Sequence, residues 1–516
     1  MMNIMKNRPA IYPLILCLCP VLFLYARNIE ETAFSEILLP SAVMLVFTLV
    51  LLISLNLFLR NPEKSALIVA IFLVWFYSYG HVRVVLESWK IDLLTAHDRL
   101  FVLWAILFIG VGLFALKTRR DLTNITRIFT VVIISLMAFC ILNITVYQIK
   151  TSYPLRNISV RMADADADTG ERKDKTGLRD IYYIILDGYA GSWALKEIYG
   201  FDNHDFTDYL EKKGFYVASE SRSNYGVTFL SLASSLNMEY INYLCTDETK
   251  YSKDRSKAYE MIRDNKVVSF LRQKGYMYVH FGSGWAATES NNYADLNIRG
   301  GWYSEYMMVL IKTTVLDYFS EYLAERNSRM LILKTFTGIF NIHKIKGPKF
   351  IFAHITCPHP PYLFQEDGRM VKKVTLEMDG SEWLKRERYL GQLKYINKLT
   401  REMVDNILAR SETEPIIILQ ADHGSASLGR PHPPLNLADD QIKNTLMERM
   451  GILNAYYLPG GGSKALYTSI TPVNSFRSIF NFYFGGDFPL LEDRNYYGDY
   501  DTPYVLTDVT DIVGLN

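Results

Sequence analysis

The stretch Ile181-Tyr-Tyr-Ile-Ile-Leu-Asp187-Gly188 (IYYIILDG) governs the fold of the larger part of this chain. Six consecutive apolar residues without polar alternation, closed by Asp-Gly, read as a strand buried on both faces. Runs of the same kind recur at Tyr276–Phe281 (YMYVHF), Lys349–Ile355 (KFIFAHI), Pro415–Leu419 (PIIIL) and Leu453–Leu458 (LNAYYL). Between them lie helical patterns near Ser192–Tyr199, Asp205–Gly214 and Glu382–Ala409. Strands buried on both faces and alternating with helices predict an α/β domain with a mostly parallel central sheet. Sites in such sheets form at the carboxyl ends of the strands.

Three of these runs end in residues that bind cations or phosphate. The first ends in Asp187. The third contains His354 and soon reaches His359. The fourth passes through Gln420-Ala421 into Asp422-His423-Gly424. A carboxylate beside an imidazole offers one cation a hard oxygen and a nitrogen. Each Asp alone reads more simply as a helix N-cap. Two of them, with three histidines at neighbouring strand ends, favour a metal site. A second pattern, Ser223-Asn224-Tyr225-Gly226-Val227-Thr228 followed by FLSLASSL, reads as a loop entering a helix. It places Thr228 at the helix N-terminus, where unpaired N–H groups favour an anion. Thr228 alone would be an ordinary cap. Beside the Asp and His residues it reads as a metal-activated nucleophile.

The N-terminal part is of another kind. Apolar stretches at Pro9–Ala26, Ile37–Leu59, Ala66–Leu86, Leu100–Leu116 and Ile128–Tyr147 are expected to form a bundle of five transmembrane helices over residues 1–150. His81 and Arg83 weaken the third, with Arg83 either snorkelling or marking a polar site in the membrane. One set of loops holds Lys6, Arg8, Arg60, Lys64, Lys117, Arg119, Arg120 and Arg127. The other holds only Arg27, Lys90 and Arg99, so the N-terminus is expected in the cytoplasm and everything after Tyr147 outside. Leu24-Tyr25-Ala26 is a poor signal-peptide cleavage site, and four further spans follow it. The acidic and basic stretch over residues 151–179, with its Ala-Asp repeat at 163–168, is expected to be a mobile linker to a domain at 180–516.

Composition excludes several classes. Across 516 residues, 49% are hydrophobic and 14% aromatic, which no disordered chain would show. A balance of 55 Lys+Arg against 54 Asp+Glu gives no basic excess for nucleic acid. Cys245 and Cys357, in the exterior part, could pair in an oxidising compartment. Without Cys-x-x-Cys, a thiolate zinc site is not expected. There is no Gly-rich phosphate loop of the ATPase type.

The motifs YYIILDGYAG, SNYGVTFLSLASSLN and ADHG resemble the alkaline phosphatase/sulfatase superfamily in its membrane-anchored branch, which includes lipoteichoic acid synthases and phosphoethanolamine transferases. FGSGW (Phe281–Trp285), PHPPY (Pro358–Tyr362), ILNAYYLPG (Ile452–Gly460) and TPVNSFRSIFNFYF (Thr471–Phe484) support it. The resemblance implies an alkaline-phosphatase-like domain on a five-span anchor. It implies Asp187, Asp422 and His423 as ligands of one metal, Thr228 as ligand and nucleophile, and His354 and His359 as phosphate-contacting or second-metal histidines. Arg430, His432 and Trp285 become candidate substrate contacts. The implied cofactor is a divalent cation, Zn2+ or Mn2+, with Mg2+ or Ca2+ as alternatives.

Two departures matter. No Cys-x-Pro-x-Arg or Ser-x-Pro-x-Arg formylglycine motif surrounds Thr228, which is followed by Phe229 and Leu230. Relatives often carry Glu where this chain has Asp187. The expectation is a phosphotransferase moving a phospho-substituent from a membrane lipid to an envelope glycan or lipid. The alternatives are a phosphoric or sulfuric ester hydrolase, and an inactive membrane-anchored binding module. A bacterial-type plasma membrane is the expected location.

Overall fold

The computed structural model describes residues 11–29, 32, 34–89, 91, 97–118, 123–166, 178–372, 374 and 380–514. The chain divides into two compact units. One comprises Met1–Lys173 with Tyr303–Ala324, the other Asp174–Trp302 with Glu325–Asn516.

The larger unit is built on a seven-stranded sheet: β1 (Ile181–Leu186), β2 (Tyr216–Val217), β3 (Met277–Gly282), β4 (Leu296–Arg299), β5 (Lys349–Ile355), β6 (Ile416–Gln420) and β7 (Asn454–Tyr457), in spatial order β2-β7-β6-β1-β5-β3-β4. The five strands β6-β1-β5-β3-β4 are parallel to one another, while β7 runs antiparallel to β6 and β2. The unbroken apolar run of β1 has a direct cause. Tyr182, Ile184 and Leu186 enter the core on one face; Ile181, Tyr183 and Ile185 enter the core on the other. The sequence missed the short strand β2 and the exposed edge strand β4. Because β1 pairs with β5 on one side and β6 on the other, the loops after all three strands open at one place. Cys357 packs on the first face and Cys245 against the second, so the sheet separates them and both thiols are free. The pairing that the sequence left open is not formed.

In the smaller unit, four helices are long and apolar enough to cross a bilayer: Phe34–Leu59, Pro62–Ser88, Asp98–Lys117 and Thr126–Tyr147. The first expected span is shorter and is broken into Tyr12–Leu16 and Cys19–Arg27. Pro20 stands in the first turn of the second piece, where its ring and missing N–H stop the preceding helix from running through. The last helix continues to Asp166, so the segment expected to be a mobile linker is helical from residue 151 to 166. The remainder of that expected linker, 167–177, lies outside the described residues.

The segment 303–324 belongs to this unit although it is encoded in the middle of the larger one. Its helix Glu305–Thr313 places Tyr306 and Leu310 in a core with Cys17, Val21, Tyr25, Ile37, Leu73 and Tyr77. Tyr306 donates to the Val21 carbonyl at 2.6 Å. Asp317, with a side chain only 1% exposed, pairs with Arg83 at 2.9 Å. Arg83 is thus the anchor of a docked segment, a role neither of its sequence readings had anticipated. A Cβ on Gly80 would stand 1.9 Å from the Lys312 carbonyl oxygen, so only glycine admits this approach. We expect Gly80→Val to lower the melting temperature of the detergent-solubilised full-length protein, an overpacking cost of about 1–3 kcal/mol. Unchanged melting would contradict the docking.

Candidate metal centre

Asp187 leaves β1 and Asp422-His423 leave β6, its hydrogen-bonded neighbour. His354 is the penultimate residue of β5, on the other side of β1. The Gly188 N–H donates to Asp422 Oδ1 at 3.1 Å and ties the two loops together. Behind them, Ser231 donates to the Asp422 carbonyl at 2.7 Å, and the Glu448 carboxylate, fully buried, accepts from Ser425 and from the Ser427 and Leu428 N–H groups. A Cβ on Gly424 would meet the Glu448 carbonyl oxygen at 2.1 Å, which explains the glycine after the Asp-His pair.

Thr228 is the first residue of the helix Thr228–Asn237; the N-cap is Val227, and no side chain caps this end. The capping role that a lone Thr would have suggested is therefore not the one it plays. Its hydroxyl instead lies 3.2 Å from His423 Nε2 and accepts from the Tyr500 hydroxyl at 3.2 Å. His423 Nε2 is also 3.3 Å from Asp422 Oδ2 and 3.6 Å from Asp187 Oδ1. Four donors held tetrahedrally around a cation by bonds of about 2.0–2.2 Å stand about 3.4 Å apart. The three separations from His423 Nε2 match that edge length.

Three further observations fit a cation. Asp187 Oδ1, Asp422 Oδ2 and His354 Nε2 are buried and have no hydrogen-bond partner, a costly state for polar atoms that a bound cation would relieve. Each of the three histidines uses Nδ1 elsewhere: His423 on the Gly424 carbonyl at 2.9 Å, His359 on the Pro360 carbonyl at 2.5 Å, and His354 on the Thr288 hydroxyl at 2.8 Å. That leaves every Nε2 for a ligand, the usual way of fixing the tautomer at a metal. Finally, two sets of donor atoms lie within 4.8 Å of one another, Asp187-His359-His423 and Asp187-His354-Asp422, with Asp187 common to both.

The electrostatics point the same way. Burial, and then the charge of Asp187, push Asp422 up to about 7. Burial also opposes ionisation of Asp187, but His359, His354 and His423 outweigh it and hold that carboxyl well below its ordinary range. Burial lowers His359 and His423, opposing their protonation in the direction that ligation requires. Burial raises Tyr500 to about 12, so it remains a hydrogen-bond donor to Thr228.

The remaining expected residues are placed differently. Trp285 packs its ring edge-on to His354 at 5.6 Å and thereby supports a candidate ligand. Arg430 stands beside Gly380, close enough for its charge to bear on His359. His432 is tied to Asp499, with a side chain 70% exposed, and makes no hydrogen bond to the Asp and His cluster among the described residues. Four residues escaped the sequence reading. Tyr500 and Thr288 bond to cluster members, and Trp383 packs against His359 at 4.8 Å. Arg449 is buried and donates to the Gly226 and Gly424 carbonyls at 2.8 and 3.1 Å; it has no acidic partner among the described residues. None lies at a strand end or in a motif, so no local signal marks it.

Without a cation, Asp422 carries a proton that it would lack in the unfolded chain. A carboxyl raised from 3.8 to about 7 contributes stability below about pH 4 that is lost as pH rises through about 7. A bound cation removes that penalty. We therefore expect a chelator to lower the melting temperature more at about pH 8 than at about pH 5. Equal shifts at both would contradict the coupling of Asp422 to metal.

The sulfatase family model matches residues 180–476. Solved structures with a similar trace include the zinc complex of the C-terminal periplasmic domain of EptC from Escherichia coli (13% identity, 66% of this chain and 98% of that one, TM-score 0.44). Another is the integral membrane lipooligosaccharide phosphoethanolamine transferase EptA from Neisseria meningitidis (14% identity, 91% and 94% covered, TM-score 0.38). A third comes from glycosaminoglycan metabolism in Bacteroides thetaiotaomicron (13% identity, 59% and 72% covered, TM-score 0.37). No curated protein matches the chain significantly.

Proposed function

This chain belongs to the sulfatase family, and we propose that it is a membrane-bound phosphotransferase whose nucleophile is Thr228. The observation that carries this reading is the 3.2 Å approach of Thr228 Oγ1 to His423 Nε2, with Asp187 and Asp422 at tetrahedral-edge distances from the same nitrogen. Asp187, Asp422, His423 and Thr228 would hold a divalent cation, with Zn2+ or Mn2+ suited to a mixed imidazole and carboxylate set. When bound, the cation supplies Lewis-acid polarisation and charge neutralisation at the reacting oxygens.

Thr228 Oγ attacks phosphorus in line. The Thr228 hydroxyl gives up its proton as the Oγ–P bond forms, the bond from phosphorus to the leaving oxygen breaks, and that oxygen takes up a proton in balance with the one Thr228 released. An acceptor hydroxyl then attacks phosphorus and restores Thr228. The Tyr500 hydroxyl donates to Thr228 Oγ and would stabilise the charge that builds there when the acceptor displaces it, and the end of the helix Thr228–Asn237, which no side chain caps, would favour a phosphoryl anion. His354 and His359 flank the cluster and serve the phosphoryl oxygens or the leaving group. Arg449, with no acidic partner among the described residues, adds a positive charge behind the site. Transfer of a sulfuryl group by the formylglycine route is disfavoured, because Leu230 and Leu232 stand where the motif needs Pro and Arg.

The anchor supports a donor drawn from the membrane, with a phospho-substituent such as phosphoglycerol or phosphoethanolamine passing to an envelope glycan or lipid. The excess of basic residues in one set of loops supports an N-terminus in the cytoplasm of a bacterial-type cell and this site outside the plasma membrane.

We expect Thr228→Ala to keep its metal and its melting temperature while losing turnover on the order of 10^3-fold or more. Mass spectrometry of the wild-type protein incubated with envelope lipids should find the transferred group on Thr228. Undiminished turnover in the variant would exclude the covalent route. Diacylglycerol release without free phosphate supports transfer over hydrolysis. Tyr500→Phe should lower kcat by about 10^2-fold, the usual cost of losing one donor to a developing charge; an unchanged kcat would remove Tyr500 from the mechanism.

A further inference from the structure

The segment 303–324 presents two opposite faces. The inner face is used: Tyr306 and Leu310 lie in the helix core, Asp317 pairs with Arg83, and Ser320 donates to Asp317 at 2.9 Å. The outer face carries large apolar side chains that remain well exposed, Leu316 at 42%, Phe319 at 51% and Tyr322 at 54%, and Val309, at the margin of the inner face, is 41% exposed. A surface facing water would rarely gather such a patch on one short stretch.

The position of the segment identifies what covers that face. It touches Gly80 and Arg83 in the last third of Pro62–Ser88, and the start of Asp98–Lys117, where the Tyr318 hydroxyl donates to Asp98 at 2.9 Å. In an alternating bundle these are all ends on one side of the membrane, the side on which Thr126–Tyr147 also finishes. The Tyr318 ring packs on Phe101, in the first turns of its span, at 5.5 Å. Val84 and Val85 are likewise exposed in the last turns of Pro62–Ser88, and Trp89 follows at its end. The exposed side chains of the segment are therefore continuous with the apolar flank of the spans, at the level where they leave the hydrocarbon. Aromatic residues collect at that depth because one end of each ring is apolar and the other tolerates water.

We propose that residues 303–324, although encoded within the catalytic half, form an interfacial element of the membrane unit, with Leu316, Phe319 and Tyr322 seated at the boundary between headgroups and acyl chains. The occupant of the outer face is a lipid bilayer surface. This rests on reading the four apolar helices as spans, and the test separates the two claims.

Full-length protein carrying Cys245→Ser, the other cysteines being buried, would be given a single nitroxide at Phe319→Cys and reconstituted in phosphatidylcholine/phosphatidylglycerol nanodiscs. Parallel samples would carry Leu107→Cys, exposed in the middle of Asp98–Lys117, and Lys257→Cys, exposed in the catalytic unit. Collision rates with oxygen and with a water-soluble nickel complex read the surroundings of each label. We expect oxygen to dominate at 107 and 319 and nickel at 257. Nickel dominance at 319 with oxygen dominance at 107 overturns the interfacial element alone. Shielding of 319 from both reagents, as a second protein copy would produce, overturns it too. Nickel dominance at 107 overturns the membrane reading beneath it.

Discussion

Two carboxylates, Asp187 and Asp422, are buried side by side at the ends of adjacent strands, and the architecture of the larger unit turns on that arrangement. Like charges in a low-dielectric interior repel strongly, and each loses the hydration it would have in water. A fold could avoid the cost by separating them. Here β1 and β6 pair in register, and the Gly188 N–H fixes the two loops to each other. Neither carboxylate pairs with Lys or Arg among the described residues. The nearest bases are histidines whose protonation burial opposes, in His359 and His423, or whose Nδ1 is committed elsewhere, in His354. A cation resolves the conflict. It also explains why Asp187 Oδ1 and Asp422 Oδ2 are left without hydrogen bonds while so much of the surrounding loop backbone is bonded.

The same centre accounts for Thr228. A Thr hydroxyl at a helix N-cap ordinarily satisfies an N–H of the first turn. Here the cap is Val227, no side chain caps the helix end, and the Thr228 hydroxyl lies 3.2 Å from His423 Nε2. Tyr500, brought in from far along the chain, fills the other side of the oxygen. The resulting hydroxyl has an acceptor, a donor and ligand-type neighbours at once, an arrangement suited to a nucleophile and of little use to a structural cap.

Much of this was legible in the sequence because the relevant signals are local. β1, β5 and β6 announce themselves as unbroken apolar runs, and the residues that follow them, Asp187, His359 and Asp422-His423, stand in plain view. What remained hidden depends on distance along the chain. Tyr500 and Arg449 reach the centre only through folding, and nothing about their neighbours distinguishes them. β4 is an exposed edge strand with the pattern of a loop. The sequence treats 303–324 as part of the larger unit because the chain enters and leaves it there; its partners, Gly80 and Arg83, lie more than 200 residues away. The histidine at 432, a candidate substrate contact, is a different case. It sits close to the metal motif in sequence, yet its ring turns away to Asp499.

X-ray absorption at the metal edge, on the full-length protein purified with its native cation, addresses the central claim most directly. The account predicts a first shell of nitrogen and oxygen at about 2.0–2.2 Å, with imidazole scattering and no sulfur. Loss of Asp187 and Asp422 together should abolish the metal signal. A protein that takes up no divalent cation, or one whose metal survives removal of both carboxylates, would contradict it.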